Sequence, residues 1–578
     1  MKRLTWKIGG EAGFGIMVSG MTFSKVLSRA GYHIIETNDY PSLIRGGHNT
    51  VAVTFSDEPL FAAFQPVDIL VALNKQTIDY HLEELTKEAI VLYDGEEYQL
   101  DSSKLPKDVH FYSIPLIKIA KSVGAGMLMR NTVALGASLA LLGLDLNLLI
   151  QLLTSQFAKK GEQVVAQNVN AAQAGFNYIQ KNYPDAKIPL SQPEMSDKKL
   201  VITGVEAVAM GALAAGMKFF AAYPMTPING LLTYMAAIQE KVGIVYKQPE
   251  DEIAGINMAI GASFAGVRSM VATSGGGFSL MVEGTSLAGM TETPVVIIMG
   301  MRPGPATGLP TWTAQADLHF ILNASQGEFP RLVVAPGDAE EAFYLTAEAF
   351  NLADIYQTPT FVLVDKNLME TRFSTPNFNL PNVKINRGKL LSQDEQNKQP
   401  ELARYLVTDD GISPRGIPGR KGGVFRANSD EHNEMGYSDE SADITHKMIE
   451  KRMKKQYIAD DQVPEPTLYG DKDADITLVG WGSTKGAALE ALKVLQTTNY
   501  KLKTNYLHLN YINPFPTQFV GEFLSKAKKT VDIEGNHNGQ MAEYIRMKTG
   551  IEIKDKILKF DGRQFYPEEI VEGVEKYV

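Results

Sequence analysis

The stretch EDEIAGINMAIGASFAGVRSMVATSGGGF, residues 250–278, predicts a helix, a short buried strand and a glycine turn in succession. The helix covers Glu252–Ala265 and the strand covers Ser269–Thr273. Another buried strand, Val295–Met299, follows. Short apolar runs that alternate with helical patterns are typical of parallel sheets with crossover connections. This part of the chain is therefore predicted to be an α/β domain.

The same alternation extends outward and divides the chain into five segments. In order, they are an α/β domain at residues 1–183, a proline-containing linker at 184–199, a central α/β domain at 200–375, an irregular connector at 376–465 that ends in a basic amphipathic stretch, and a C-terminal α/β domain at 466–578. Strands are predicted in the first segment at Leu4–Ile8, His33–Thr37, Thr50–Phe55 and Ile69–Ala72. Their alternation with helical patterns predicts that these strands are parallel.

The composition limits the classes of function. The 578 residues include 56 Lys and Arg against 66 Asp and Glu, a formal charge of −10, and no cysteine. A mildly acidic chain without a long basic run is not typical of nucleic-acid-binding proteins. Without cysteine, the chain cannot carry a disulfide, a cysteine nucleophile or a thiolate-ligated iron–sulfur cluster. No apolar run suits a signal peptide or a membrane span, so we expect a cytoplasmic protein without a membrane partner.

Three glycine-rich turns follow predicted strands, where backbone amides can hold an anion. The first, Gly9–Gly15, has the order G-x-x-G-x-G rather than the dinucleotide order G-x-G-x-x-G, and Glu36 closes the next strand. NAD binding and a tight structural turn both stay open for it. The turns at Gly275–Gly277 and Trp481–Gly486 lack the pattern of a phosphate-binding P-loop, so nucleotide hydrolysis is not expected.

The acidic cluster Glu250, Asp251 and Glu252 opens the helix quoted above. Acidic residues are common in the first turn of a helix, where they interact favourably with its dipole. The helix face that follows is small and apolar, however, so Glu252 is expected to point into a packed interface. A carboxyl group buried there needs a raised pKa or a partner.

Two further loops carry candidate binding groups. YPMTP at residues 223–227 follows a strand, and its two prolines can hold the Thr226 hydroxyl in a pocket or merely stiffen a turn. Arg302 follows the strand Val295–Met299 and precedes the loop 303–311, which contains hydroxyl groups. An arginine with nearby hydroxyls at this place suits a carboxylate ligand, whereas an ordinary surface arginine is the alternative.

Four motifs occur in a fixed order, namely YPMTP (223–227), QPEDEIAGINMAIGAS (248–263), TSGGGFSLMVEG (273–284) and MRPGPATGLPT (301–311). Together they resemble the α subunit of the 2-oxoacid:ferredoxin oxidoreductases, in the 2-oxoglutarate-type form with a γ domain fused at its N-terminus. The resemblance extends to GGEAGFG (9–15), YPSLIRGGHNTVAVTFSDEP (40–59), DGISPRGIPG (410–419), EHNEMG (431–436), GWGSTKGAALEAL (480–492), INPFP (512–516) and EGNHNGQMA (534–542).

The resemblance implies a fold with a γ-type N-terminal α/β domain, a central thiamine diphosphate pyrimidine-binding α/β domain and a C-terminal transketolase-like α/β domain. It also implies a thiamine diphosphate enzyme that decarboxylates a 2-oxoacid, forms an acyl-CoA and reduces ferredoxin. Glu252 matches the catalytic glutamate that hydrogen-bonds a ring nitrogen of the cofactor's aminopyrimidine. The other matching positions are, for the cofactor, Pro224, Gly275, Gly276 and Gly277, and, for the substrate, Tyr223, Thr226, Arg302, Thr307 and Thr311.

The resemblance also implies a partner subunit for the functions that this chain lacks. No GDG motif for magnesium is found, and there is no cysteine for an iron–sulfur cluster. In the resembled family both belong to a β subunit, so no metal site is expected on this chain. The resemblance thus implies a β subunit that carries Mg²⁺ and the cluster in an (αβ)₂ heterotetramer, with coenzyme A as co-substrate and ferredoxin as electron acceptor.

The preferred 2-oxoacid is left open between 2-oxoglutarate and a pyruvate-like substrate. Trp312 stands where many members of the resembled family carry arginine, and it cannot pair with a distal carboxylate. Arg130 is a candidate substitute from the first domain. Two other functions stay open: a non-catalytic binding protein with a thiamine-type fold, and an NAD-dependent dehydrogenase that uses the turn Gly9–Gly15.

Overall fold

The computed structural model describes residues 3–41, 47–124, 126–191, 193, 199–399, 401–497 and 502–577. Residues 42–46 of the motif at 40–59, and residues 192 and 194–198 of the predicted linker, lie outside the described residues. The chain forms two compact units, which are described separately. Unit 1 comprises Met1–Ile202, Thr371–Asn377 and Tyr566–Glu568, and unit 2 comprises Thr203–Glu370, Phe378–Phe565 and Glu569–Val578.

The strands of the described residues are β1 (Leu4–Glu11), β2 (His33–Asp39), β3 (His48–Ser56), β4 (Val67–Ala72), β5 (Leu85–Tyr93), β6 (His110–Ser113), β7 (Leu200–Thr203), β8 (Phe219–Ala222), β9 (Val245–Lys247), β10 (Ser269–Ser274), β11 (Val295–Met301), β12 (Leu332–Val334), β13 (Pro359–Asp365), β14 (Arg372–Thr375), β15 (Thr467–Gly470), β16 (Ile476–Trp481), β17 (Thr504–Leu509), β18 (Tyr511–Asn513), β19 (Thr530–Glu534) and β20 (Asp555–Leu558).

The α-helices of the same residues are α1 (Ile16–Arg29), α2 (Lys75–His81), α3 (Leu116–Ser122), α4 (Arg130–Leu142), α5 (Leu146–Phe157), α6 (Glu162–Asn182), α7 (Gly204–Ala214), α8 (Asn229–Val242), α9 (Glu252–Phe264), α10 (Gly275–Met290), α11 (Leu318–Asn323), α12 (Ala339–Tyr356), α13 (Lys366–Glu370), α14 (Gln393–Asn397), α15 (Ala442–Asp461), α16 (Thr484–Thr497), α17 (Thr517–Lys526), α18 (Gln540–Thr549) and α19 (Pro567–Glu575).

Unit 1 is built on a mixed sheet with the strand order β6-β5-β4-β1-β3-β2-β14-β7. The prediction that its strands are all parallel is wrong, because β3 is antiparallel to both β1 and β2. Only residues 40–47 separate β2 from β3, and a crossover between parallel strands needs a dozen or more residues. The core contains Trp6, which stacks on Phe23 at 4.2 Å and donates to Oγ of Ser138.

Unit 2 contains two sheets, and the first confirms the predicted parallel α/β architecture. Its order is β18-β12-β13-β11-β10-β8-β9, and the central strands β13, β11, β10 and β8 are parallel. The predicted helix Glu252–Ala265 is observed as α9, one residue shorter. The predicted glycine turn at Gly275–Gly277 is instead the first turn of α10. The second sheet has the order β15-β17-β16-β19-β20.

The closing helix of the predicted connector, α15, is fixed to the central part of unit 2 by buried charges. Glu292 is fully buried and pairs with Lys451, at 2.6 Å, and with Lys455 of α15. Burial opposes the charge on Glu292, but Lys451, Lys455 and Arg404 outweigh it and hold the pKa of Glu292 well below its ordinary value. These contacts bury one face of α15 against the rest of unit 2.

Within the described residues, no single helix is both long enough and apolar enough to cross a bilayer. The segment Leu116–Ser122 and the segment Met127–Leu142 reach that length and composition only together, as a pair bent by 120°.

The replacement Glu292→Gln is expected to destabilise unit 2. It leaves two buried ammonium groups without their counter-charge, which costs about 3–5 kcal/mol. Chemical denaturation of the chain measures the change. Glu450→Gln on the exposed side of α15 is the matched control, with an expected effect within about 0.5 kcal/mol. Equal effects of the two replacements would contradict a stabilising role for the buried ion pairs.

Candidate active site

Three loops of unit 2 come together because the strands before them are neighbours. The parallel strands β8, β10 and β11 lie side by side, so their carboxyl ends meet at one edge of the sheet. YPMTP (223–227) follows β8, the glycines of α10 follow β10, and Arg302 follows β11. Open α/β sheets bind ligands at such edges.

Glu252 is buried beside the glycines, as its sequence context predicts. The side chain of Asp251 caps α9 by accepting from the backbone N–H of Ala254 at 2.8 Å, and Glu252 then begins the helix. Glu252 is only 3% exposed, whereas Glu250 is exposed. A Cβ atom at residue 277 would lie 2.5 Å from Oε1 of Glu252, so only glycine leaves room for this carboxyl group.

Two buried polar atoms at this edge have no hydrogen-bond partner among the described residues. They are Oε1 of Glu252 and Oγ of Ser274, the residue that ends β10. Burying a carboxyl oxygen or a hydroxyl without a partner is unfavourable by about 1–3 kcal/mol. Both groups therefore suit a ligand with a hydrogen-bonding edge, and the aminopyrimidine of thiamine diphosphate is such a group.

Arg302 contacts the YPMTP loop directly. Its Nη1 donates to the main-chain carbonyl oxygen of Thr226 at 3.0 Å. Among the described residues, the Thr226 hydroxyl accepts a hydrogen bond only from Nδ2 of Asn229, at 3.4 Å, which leaves it available to a ligand. Tyr223 and Pro224 lie on the exposed side of the same loop. Burial lowers the pKa of Arg302, while Asp317 raises it.

Thr307 and Thr311 lie on the loop after Arg302, and they make no hydrogen bond to Arg302 or Thr226 in the described structure. The loop closes on itself through the N–H of Leu309, which donates to the carbonyl oxygen of Pro303 at 3.0 Å. Thr307 is exposed on this loop. Its hydroxyl is therefore accessible to a ligand, without being held by the protein.

Asp317 is a site residue that the sequence motifs did not identify. Its Oδ2 would lie 3.2 Å from a Cβ atom at Gly275, so its carboxyl group faces the first residue of α10. Burial raises the pKa of Asp317 to about 6, and Arg302 lowers it. The first turn of α10 is thus flanked by two carboxyl groups, Asp317 at Gly275 and Glu252 at Gly277. The only sequence signal was an acid a few residues beyond the loop 303–311.

Gln315 fixes the segment that carries Asp317. Its backbone N–H donates to the carbonyl oxygen of Gly535 at 2.7 Å, and its Oε1 accepts from the N–H of the same residue at 2.8 Å. Its Nε2 donates to the carbonyl oxygen of Trp481 at 2.8 Å, and its carbonyl oxygen accepts from Asn536. The C-terminal glycine motifs therefore hold the active-site segment in place.

The glycine motif at 480–492 makes protein contacts instead of a nucleotide site. Lys485 pairs with Glu341 at 2.7 Å and with Asp338, both on the N-terminal side of α12. These acids outweigh burial and raise the pKa of Lys485. The lysine is consequently committed to an ion pair within unit 2.

Arg130, the candidate substrate residue of the first domain, and Glu36, the acid considered for NAD binding, both have partners within unit 1. Nη1 of Arg130 lies 3.3 Å from Oε2 of Glu97, and its guanidinium lies 3.8 Å above the ring of Phe14. Glu36 pairs with Arg372 at 3.3 Å, and burial raises the pKa of Glu36. Glu36 is therefore already engaged, and the structure gives no support to the alternative of an NAD-dependent dehydrogenase.

Models of three protein families match consecutive parts of the chain. Residues 210–451 match the family described as pyruvate flavodoxin/ferredoxin oxidoreductase, thiamine diphosphate-binding. Residues 5–178 match pyruvate ferredoxin/flavodoxin oxidoreductase, and residues 474–570 match pyruvate:ferredoxin oxidoreductase core domain II. Glu252, Arg302 and Asp317 all lie in the thiamine diphosphate-binding match.

Whole-chain relatives agree with these matches. The 2-oxoacid:ferredoxin oxidoreductase subunit alpha of Saccharolobus solfataricus is 35% identical over 100% of this chain and 98% of its own. The 2-oxoglutarate oxidoreductase subunit KorA of Mycobacterium tuberculosis is 28% identical over 99% of this chain and 91% of its own length.

A solved structure matches equally completely. The 2-oxoglutarate:ferredoxin oxidoreductase of Magnetococcus marinus, solved with 2-oxoglutarate, coenzyme A and succinyl-CoA bound, superposes with a TM-score of 0.91 at 32% identity. The match covers 100% of this chain and 99% of that chain. On these similarities along its whole length, the chain belongs to the 2-oxoacid:ferredoxin oxidoreductases, as an α subunit.

Proposed function

We propose that this α subunit, together with a β subunit, catalyses the thiamine diphosphate-dependent, CoA-acylating oxidative decarboxylation of 2-oxoglutarate or a pyruvate-like 2-oxoacid, and that the β subunit passes the electrons to ferredoxin. The observation that carries the proposal is the buried, unpartnered Oε1 of Glu252 against Gly277. The Magnetococcus relative, with 2-oxoglutarate and two CoA compounds bound, supports the substrate class.

Glu252 has the properties of a cofactor-activating carboxylate. Bound thiamine diphosphate would supply a thiazolium carbon that adds to a 2-oxo group and accommodates the electron pair left by decarboxylation. Glu252 is held at the start of α9 and shielded from water, so Oε1 can hold a proton shared with the pyrimidine ring. The neighbouring Ser274 hydroxyl offers a second hydrogen-bonding group.

Arg302 is proposed to bind the carboxylate of the 2-oxoacid. One nitrogen, Nη1, is fixed by the carbonyl oxygen of Thr226, and this contact orients the planar guanidinium. The remaining N–H groups can then donate to a carboxylate in a fork. The Thr226 hydroxyl, and those of Thr307 and Thr311, are proposed to complete the substrate site.

A β subunit is proposed to cover this edge of unit 2. Near Glu252, the exposed large apolar side chains are Ile253 at 49% and Met258 at 40% on α9, and Leu280 at 50% on α10. Apolar side chains grouped around a buried, unpartnered carboxyl group suit a subunit interface. The sequence lacks cysteine, so the iron–sulfur cluster, and with it the Mg²⁺ site, is assigned to the β subunit of a proposed (αβ)₂ assembly.

Glu252→Gln keeps the shape of the side chain but removes the carboxylate that shares a proton. In the reconstituted αβ complex, the rate of 2-oxoacid-dependent ferredoxin reduction is expected to fall by about 10²–10⁴-fold, the usual contribution of positioned proton transfer. Glu250→Gln, two residues earlier and exposed, should change the rate little. Near-normal turnover by a cofactor-loaded Glu252→Gln complex would exclude the proposed role.

Gly277→Ala tests the packing of the same carboxyl group in the isolated chain. The added methyl group overlaps Oε1 of Glu252 and the hydroxyl of Thr273, so we expect a loss of about 1–3 kcal/mol in stability. Gly276→Ala is the matched control, since its Cβ meets nothing within 4 Å. If thermal unfolding shows the same stability for both variants, the carboxyl group does not occupy this position.

Arg302→Lys keeps the positive charge and loses the planar fork. The affinity for the 2-oxoacid should fall by roughly 1.5–3 kcal/mol, the range for hydrogen bonds to charged groups. Thiamine diphosphate affinity, measured by calorimetry, should stay unchanged. The exposed Arg546→Lys serves as the control. Parallel losses of cofactor and substrate binding would indicate a structural role for Arg302.

A further inference from the structure

The outer end of the loop 303–311 rests on a bend close to the C-terminus of the chain. Trp312 and Thr313 follow the loop directly, and the bend is formed by residues 561–563, with the sequence Asp-Gly-Arg. The N–H of Thr313 donates to the carbonyl oxygen of Gly562 at 2.9 Å. Both partners belong to unit 2. The bend therefore holds the end of the loop through the backbone.

Arg563 adds a side-chain contact to this support. Its guanidinium lies 3.8 Å from the centre of the Trp312 ring, within the range of a cation–π interaction. The bend itself orients the arginine. The N–H of Arg563 donates to Oδ1 of Asp561 at 2.8 Å, and its Nη1 donates to the carbonyl oxygen of the same residue at 2.8 Å. The planar guanidinium is thus preorganised to stack on the indole ring.

Gly562 allows the bend to approach the loop closely. Its φ of +87° lies in the left-handed region, which favours glycine. A Cβ atom at this position would lie 3.1 Å from Cβ of Trp312 and 3.2 Å from Cδ1 of Leu309, closer than most contacts of Cβ atoms. A larger residue would therefore push both side chains, and with them the loop, away from the bend.

The loop is consequently anchored at both ends. At its start, Nη1 of Arg302 donates to the carbonyl oxygen of Thr226 at 3.0 Å. Across the loop, the N–H of Leu309 donates to the carbonyl oxygen of Pro303 at 3.0 Å. The N–H of Trp312 then donates to the carbonyl oxygen of Leu309 at 3.2 Å. These hydrogen bonds connect the support at Trp312 to the residue that follows Arg302.

We propose that Arg563 is a positioning residue for the 2-oxoacid. By stacking on Trp312, it holds the loop 303–311 in the conformation that presents the loop's hydroxyl groups to the substrate. The inference rests on the proposed function of this loop in substrate binding. Arg563 is assigned no contact with substrate or cofactor. Its contribution is to affinity, because a loop that is already held in place loses less conformational entropy when the substrate binds.

Tryptophan fluorescence of the isolated chain measures the stacking contact directly. The chain has three tryptophans, of which Trp6 and Trp481 are fully buried, so acrylamide reaches chiefly Trp312. Arg563→Ala should uncover the indole ring and increase the quenching of its emission by acrylamide. Equal quenching in the natural chain and in Arg563→Ala would overturn the inference.

Kinetics of the reconstituted αβ complex, loaded with thiamine diphosphate and Mg²⁺, measure the effect on substrate. With methyl viologen as acceptor, kcat and KM are determined for 2-oxoglutarate and for pyruvate. Arg563→Ala should raise KM about two- to fivefold, the ratio that corresponds to an exposed cation–π interaction, and leave kcat unchanged. Arg563→Lys keeps the charge and should restore part of the affinity. Arg426→Ala removes a comparable exposed pair, with Tyr437 at 4.3 Å, and should change neither constant.

Gly562→Ala alters the bend itself. It should raise KM by about tenfold or more, because small displacements of positioning groups are costly. Gly550→Ala is the matched control, since Gly550 also has a left-handed backbone, with φ +76°, but a Cβ atom there meets nothing within 4 Å. The strained backbone should lower the thermal stability of both variants, whereas only Gly562→Ala should raise KM.

The outcomes separate this inference from the proposed function. An unchanged KM in Arg563→Ala, or a fall in kcat at constant KM, overturns the positioning role alone. A rise in KM for 2-oxoglutarate but not for pyruvate also overturns it, because this would indicate direct contact of Arg563 with the second carboxylate. Absence of 2-oxoacid-dependent reduction in the natural complex overturns the positioning role together with the proposed function.

Discussion

The candidate active site depends on how closely the Glu252 carboxyl group approaches residue 277, where only glycine leaves room for it. Because residue 277 has no side chain, α9 and α10 approach closely enough to bury that carboxyl group without giving Oε1 a partner. An unpartnered carboxyl oxygen in a folded protein is unfavourable unless something else completes it. The cofactor and the β subunit are proposed to do so, and on that proposal this chain carries only part of the active site.

The remainder of unit 2 keeps that edge of the sheet in place. Gln315 joins the segment after the loop 303–311 to the end of β16 and to the turn following β19, and Lys485 joins α16 to α12. Buried ion pairs of Glu292 with Lys451 and Lys455 fix α15, at the end of the connector, to the central part of unit 2. The desolvation of each buried charge offsets much of the attraction within such a pair. The pairs therefore contribute to the packing of α15 mainly through their fixed geometry.

Local sequence patterns predicted the elements around the site well. The parallel strands of unit 2, the start of α9 and the burial of Glu252 follow from short apolar runs and an acidic first turn. Contacts between residues distant in the sequence were not predictable in this way. The position of Asp317 beside Gly275 and the ion pair of Lys485 depend on tertiary packing, for which a single sequence provides no periodic signal. The antiparallel β3 is different, because the short segment between β2 and β3 is a local feature that periodicity alone does not use.

Whether Glu252 binds the cofactor is decided by a crystal structure of the α subunit in complex with its β subunit and thiamine diphosphate. We expect a distance of about 2.6–3.2 Å between Oε1 of Glu252 and a nitrogen of the pyrimidine ring, the range of a hydrogen bond that can pass a proton. A pyrimidine ring bound elsewhere, with Oε1 of Glu252 still unpartnered or paired with a residue of the β subunit, would contradict it.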